Sequence, residues 1–253
     1  MKLNYIKSSK FLSYISYKPV GLEDVLSLRK AEQVHCDCYL VSSMEALSRS
    51  KNGKKIISDN IQNYKSIYKC TFRDLKGKPK DYYITQENIN NSRHAYKQKN
   101  PLLKVLNIAM ERLVQRYSNK KDVLSWIIAP DQFTFEYNRP SRFMTMFTGK
   151  KPINIAESSF NLNLKSRKKE VLELFEKMGK TPGNDYSFVA GTGFRSITDT
   201  GGTWHCFTIT KVDLKNKVIH AKNKRTNYIN KLDFDTALKK FKFIVGYFNE
   251  NLK

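Results

Sequence analysis

Gln33-Val-His-Cys-Asp-Cys38-Tyr-Leu-Val-Ser-Ser-Met-Glu-Ala-Leu47 joins a polar, irregular approach to an apolar-periodic run, with a cysteine at the junction. Leu40, Val41, Met44 and Leu47 recur at helical spacing and predict a helix that begins at Cys38, with Asp37 placed to cap it. A thiol in the first helical turn meets unpaired backbone N–H groups and the positive end of the helix dipole, both of which favour the thiolate. The apolar stripe anchors such a helix from behind and leaves its N-terminus facing a cleft. The competing reading of Cys38 is a small apolar residue in a core helix.

Upstream, Leu22–Leu28 reads as a short helix after Gly21, and residues 1–20, which lack a period, read as an extended basic arm. Downstream, residues 50–64 are polar and read as a loop with a short helical or strand piece around Ile56-Ile57. Ser66–Phe72 and Asp81–Thr85 flank a turn containing Gly77 and Pro79 and predict a hairpin, with Cys70 a core residue of its first strand. Asn88–Lys99 reads as exposed loop. Pro101–Tyr117 predicts a helix, because Leu102, Leu106, Ala109 and Leu113 line one face and Pro101 suits a first turn; Glu111 is then a surface charge. Further helices are expected over Ser141–Phe147, ended by Thr148-Gly149, and around Val171, Leu174, Phe175 and Met178, stopped by Gly179–Gly183. Gly179-Lys-Thr lacks the earlier glycine of a phosphate loop and follows a helix where a strand is required.

From Ser187 the pattern turns to strands. Ser187–Ala190 precedes a glycine-rich loop holding Gly191, Gly193, Gly201 and Gly202; Trp204–Val212 and Lys217–Lys222 then form two arms about the turn Asp213–Asn216. A catalytic cysteine requires a base for its proton and a group that fixes the base's tautomer. His205 opens one arm and Asn223 closes the other, so a hairpin sets them side by side. The glycines before His205 leave room for a substrate backbone, which makes Gly201, Gly202 and Trp204 the candidate cleft wall. His35 and His220 compete for the role of base.

A chain of 253 residues with 40% hydrophobic content suits one domain or two lobes sharing an interface. No run reaches the roughly 18 apolar residues of a membrane span, and the first 20 residues are broken by Asn4, Lys7 and Lys10, so the expectation is a soluble chain with no signal peptide. Four cysteines, Cys36, Cys38, Cys70 and Cys206, are too few for a disulfide framework and read as reduced thiols. His35, Cys36, Cys38, His205 and Cys206 could supply metal ligands, yet the Cys-x-Cys spacing is tighter than a zinc site uses, so no metal and no cofactor is expected. The net charge of +23 is spread along the chain and favours acidic partners. The charge does not choose among nucleic acid, an anionic membrane surface and an acidic protein or peptide, but nucleic acid is not favoured, since no aromatic-interleaved basic motif accompanies it.

The order of a helix-borne cysteine, then a strand-borne histidine and a downstream asparagine, is the papain-like order, and within that superfamily the chain resembles the calpain protease core. Asp37-Cys-Tyr-Leu-Val-Ser-Ser-Met-Glu-Ala-Leu47 is similar to the calpain block in which Asp-Cys-Trp-Leu leads into an alanine-rich helix. Pro101-Leu-Leu with Ala109 and Leu113, the Phe-Thr-Gly that ends Met144–Gly149, Trp204–Val212 and the aromatic-rich Leu232–Phe241 resemble later calpain blocks in the same order, over roughly residues 30–248. The resemblance implies an α+β, papain-like two-lobe fold: a basic arm over 1–20, a helical lobe over 21–150 carrying the nucleophile, and an antiparallel β-rich lobe over 151–253 carrying histidine and asparagine.

It also implies a cysteine endopeptidase with Cys38 as nucleophile, His205 as general base and then acid, Asn223 as orienting amide and Gln33 as oxyanion-hole donor. Acyl transfer or deamidation on the same fold, and an inactive basic scaffold binding nucleic acid or an acidic protein, are the alternatives. Three positions depart from the family. Gln33 lies five residues before Cys38 where six is usual, Cys36 replaces a glycine, and Lys224-Arg-Thr follows Asn223 in place of Pro-Trp-Gly. No calcium-loop motif is present. A protease core of this kind, acting in a cytoplasm or delivered by a dedicated secretion system, is compatible with a bacterial effector.

Overall fold

The computed structural model describes residues 15–34, 37–74, 77–92, 95, 97–118, 139–156, 164–192 and 205–253. The chain is α+β, built on two antiparallel sheets. The first has strand order β1-β2-β3-β4, formed by Lys18–Pro19, Ile61–Tyr64, Ile67–Arg73 and Pro79–Ile84. The second has order β5-β10-β6-β7-β8-β9, formed in chain order by Ile153–Ile155, Tyr186–Thr192, Cys206–Asp213, Val218–Asn223, Ile229–Asp233 and Phe241–Phe248. Among the described residues the α-helices are α1 (Leu22–Ser27), α2 (Cys38–Leu47), α3 (Lys51–Asn60), α4 (Gln86–Asn91), α5 (Pro101–Ser118), α6 (Pro140–Thr148), α7 (Lys168–Lys180) and α8 (Phe234–Lys240). Of these, no helix is long and apolar enough to cross a membrane.

Helix α2 is the pivot. It packs against β6 and β7 on one side and against α3 and α6 on others, and all 10 of its residues are buried. The apolar stripe expected from the sequence is therefore part of a helix covered all round, so Ser42, Ser43 and Glu45 are buried with Leu40, Val41, Met44 and Leu47. Each large apolar side chain so placed contributes about 1.5–3 kcal/mol relative to exposure. Strand alternation splits the second sheet between two cores. Val189, Cys206, Val245 and Tyr247 face the cluster around α2 and the first sheet, whereas Phe188, Ala190, Phe207 and Ile209 face a second cluster with Phe175 and Leu238.

At Gly246 on β10, a Cβ would sit 2.0 Å from the Ser187 carbonyl oxygen and 2.6 Å from the Cα of Phe188 on the paired strand. Backbone cannot yield as a side-chain tip can. Gly246→Ala is expected to destabilise the fold by about 3 kcal/mol, read as a lower urea midpoint at unchanged slope.

Several local expectations need correction. The polar stretch 50–64 is helix α3 followed by β2, because Ser50 caps the helix by accepting from the Gly53 N–H and Ile57 is buried. Asn88–Lys99 contains the end of α4, a helix opened by a capping box between Thr85 and Asn88, with Ile89, Ala95 and Gln98 buried. Helix α7 continues through Gly179 to Lys180, and α8 begins only at Phe234, Leu232 and Asp233 belonging to β9. Within 21–150 the described residues hold a sheet as well as helices, and Lys18–Pro19, the end of the expected arm, pairs with Gln62 and Asn63. Asp37 occupies the N-cap position of α2 without a side-chain capping hydrogen bond. Glu111 is half-buried and accepts a hydrogen bond from Ser92 Oγ at 3.3 Å.

Candidate active site

Helix α2 and strand β7 are locked in register by a reciprocal pair of hydrogen bonds. Ser42 Oγ donates to the Cys206 carbonyl and Thr208 Oγ1 donates to the Ser42 carbonyl, both at 3.0 Å. Ser42 lies one turn after Cys38, so this pair sets the start of β7 beside the first turn of α2. The His205 backbone is held from the other side, its carbonyl accepting from Thr192 N at 2.9 Å and its N–H donating to Thr192 Oγ1 at 3.2 Å. Strand β8 pairs with β7 so that Asn223 stands opposite Phe207.

In that frame His205 Nε2 lies 2.7 Å from Asn223 Oδ1. The same oxygen accepts from the Arg225 backbone N–H at 2.9 Å, which identifies the atom as acceptor and Nε2 as the donor. Nδ1 is left free of Asn223, and His205 is one of the groups that pull the Cys38 thiol down. The His205 ring packs edge-on against Phe207, with ring centroids 5.0 Å apart. Phe207 thus supplies an aromatic neighbour that the sequence lacks directly after Asn223.

The Cys38 thiol is pulled down from its ordinary range to about 5. The largest cause is a hydrogen bond from the Cys206 thiol. Burial opposes it, and the hydrogen bond and charge of His205, together with the Cys206 backbone N–H, add to it. Cys70, by contrast, is pushed well up by burial and then by Asp81, so it stays protonated and inert. Cys206 is the residue beside the thiol that the sequence did not mark as its support. Its signal was strand alternation: Cys206 and Thr208 fall on the face toward α2, while Phe207 and Ile209 fall on the other. Cys206→Ala is expected to raise the Cys38 inflection above about 5 in a pH series of iodoacetamide labelling resolved by peptide mass.

Gln33 is brought to the same end of the molecule. Its backbone N–H donates to the carbonyl of Lys224, the residue after Asn223, at 2.9 Å. A hollow of about 340 Å³ beside it is lined by Ser27, Ala31, Glu32, Val34 and Gln98 among others. A larger hollow of about 430 Å³, bounded by Arg73, Arg142, Thr145 and Lys151, has no cysteine or histidine among its described lining residues and shares none of them with the Cys38 site. His220 lies on β8 near Lys211, Lys231 and Asp213, with its pKa lowered by burial first and by the two lysines next. His35, Cys36, Gly193, Gly201, Gly202 and Trp204 lie outside the described residues. Among the described residues, no group of three or more His, Cys, Asp and Glu side chains could hold a metal ion.

The sequence candidates Cys38, His205 and Asn223 are therefore brought together, His205 hydrogen-bonded to Asn223 and acting on the Cys38 thiol, with Gln33 anchored next to them. Such an arrangement can move a proton from sulfur to imidazole and present a thiolate at a helix N-terminus. Scanned against protein-family models the chain matches none, and no curated protein matches it.

Proposed function

We propose that the chain is a papain-like cysteine endopeptidase, related to the calpain core, that cleaves peptide bonds through an acyl-enzyme. The observation that carries this reading is the buried Cys38–His205–Asn223 relay, in which Asn223 fixes the donor side of the imidazole and the opposite nitrogen serves the sulfur. The Cys38 thiolate attacks the scissile carbonyl carbon, and the oxyanion takes hydrogen bonds from the Cys38 backbone N–H and the Gln33 side-chain amide. His205, protonated by the thiol, gives that proton to the leaving amine as the C–N bond breaks. Water then enters; His205 removes its proton, hydroxide attacks the thioester, and the carboxylate product leaves as sulfur returns to the thiolate. Asn223 keeps the ring in one orientation through both half-reactions.

The net charge of +23 favours acidic substrate proteins or peptides by long-range attraction. Digestion of a mixed peptide library, read by mass spectrometry for new termini, tests the proposal. New N- and C-termini that require Cys38 support it. An intact library, with side-chain amides converted to carboxylates instead, would replace the peptidase reading with the deamidase one.

A further inference from the structure

Two turns along α2 from Cys38, Glu45 is fully buried and faces a cluster of cations. Its Oε2 lies 2.6 Å from Lys224 Nζ, which is equally buried, and its Oε1 lies 2.5 Å from Arg49 Nη2 and 3.8 Å from Lys222 Nζ. Lys222 and Lys224 flank Asn223. Both lysines also donate to the Arg29 carbonyl, at 2.6 and 3.3 Å, and the Arg29 guanidinium donates to the Ser48 carbonyl just past α2. The Lys224 carbonyl, in turn, is the acceptor that anchors Gln33.

A lysine without surface exposure, directly after the candidate orienting residue, calls for a physical reason, because burying an ammonium group is costly unless it is paired. Asn223 supplies one. Its Oδ1 accepts from His205 and Arg225, whereas its Nδ2 is buried with no hydrogen-bond partner among the described residues. The amide is therefore held from its oxygen side only, and its position depends on how firmly the backbone on either side is tied down. Lys224 makes that tie three ways: its side chain to the nucleophile helix, its carbonyl to the Gln33 segment, and its peptide bond to Asn223.

We propose that the Glu45–Lys224 ion pair is a positioning device that sets Asn223, and through it the His205 ring, against the helix carrying Cys38. The inference rests on reading Cys38, His205 and Asn223 as a catalytic relay. Glu45 and Lys224 touch no reacting atom; they act through the asparagine between the two lysines.

The test uses Lys224→Met, which removes the buried cation and leaves Glu45 paired with Arg49 and close to Lys222, beside Lys224→Arg, which retains the charge. In protein labelled with ¹⁵N-histidine, the His205 Nε2–H held by Asn223 should give a protected NMR signal in the wild type. Lys224→Met is expected to unfold cooperatively, to lose that signal, and to react with iodoacetamide at Cys38 about tenfold more slowly at pH 6. Lys224→Arg is expected to keep both properties. A Lys224→Met protein that retains the signal and the labelling rate would overturn the inference. Should Lys224→Met not fold, Glu45→Leu/Lys224→Met, which empties the site of both charges, replaces it under the same criteria; loss of fold in both would assign the pair to stability alone and also overturn it. The signal reports on Asn223 whether or not the sulfur is activated. A wild type that shows the signal but labels like an ordinary thiol therefore refutes the peptidase reading, and the positioning claim is still decided by the variants.

Discussion

Cys38→Ala is expected to reduce peptide-bond hydrolysis by about 10,000-fold or more, because removing a nucleophile disables the machinery that acts with it as a unit. The fold should survive the change. Cys38 loses only its sulfur, and α2 remains fixed by Tyr39, Leu40, Met44 and the Ser42–Cys206 and Thr208–Ser42 hydrogen bonds. Circular dichroism and the thermal midpoint should thus stay close to wild type while turnover of the best library peptide disappears. Turnover within tenfold of wild type would place the chemistry elsewhere.

The second large effect is expected at His205. Alanine there removes a hydrogen bond and a positive charge that both favour the Cys38 thiolate, leaving the Cys206 thiol as the main support against burial. A group whose pKa is held low reverts upward when its supports go, so the labelling inflection must rise above about 5. Hydrolysis should fall by about 1,000-fold or more, since the variant also loses the proton donor for the leaving amine. His220→Ala, on β8 and outside the relay, should leave both readouts unchanged; an effect at His220 matching that at His205 would reassign the base.

Legibility of the chain followed the strength of its local signals. Helix α5 was readable because Pro101 opens it and Leu102, Leu106, Ala109 and Leu113 repeat at helical spacing, and α6 because Gly149, at φ 73°, ends it in a left-handed cap. The β7–β8 arms were readable from alternation about the turn at Asp213–Asn216, which is also what placed His205 near Asn223. Helix α3 was not, since Lys51–Asn60 is polar and is held by the Ser50 cap and by packing of a few residues such as Ile57. The supports of the site were harder still. Cys206 read only as a reduced thiol and a candidate metal ligand, and Glu45 and Lys224 are 179 residues apart, so nothing local marks them as partners. Long-range pairing of buried charge has no sequence period.

The most direct test of the account is the pH dependence of iodoacetamide labelling at Cys38 in the wild-type protein, followed by peptide mass. At pH 6 about nine-tenths of Cys38 would be thiolate, against about one part in a thousand for an ordinary thiol. The weaker intrinsic nucleophilicity of a low-pKa sulfur offsets about a hundredfold of that, leaving about a tenfold rate advantage. An inflection near pH 5 is expected, with Cys38 labelled well ahead of Cys70. An inflection between about pH 8 and 9, the range of an unassisted thiol, would contradict it.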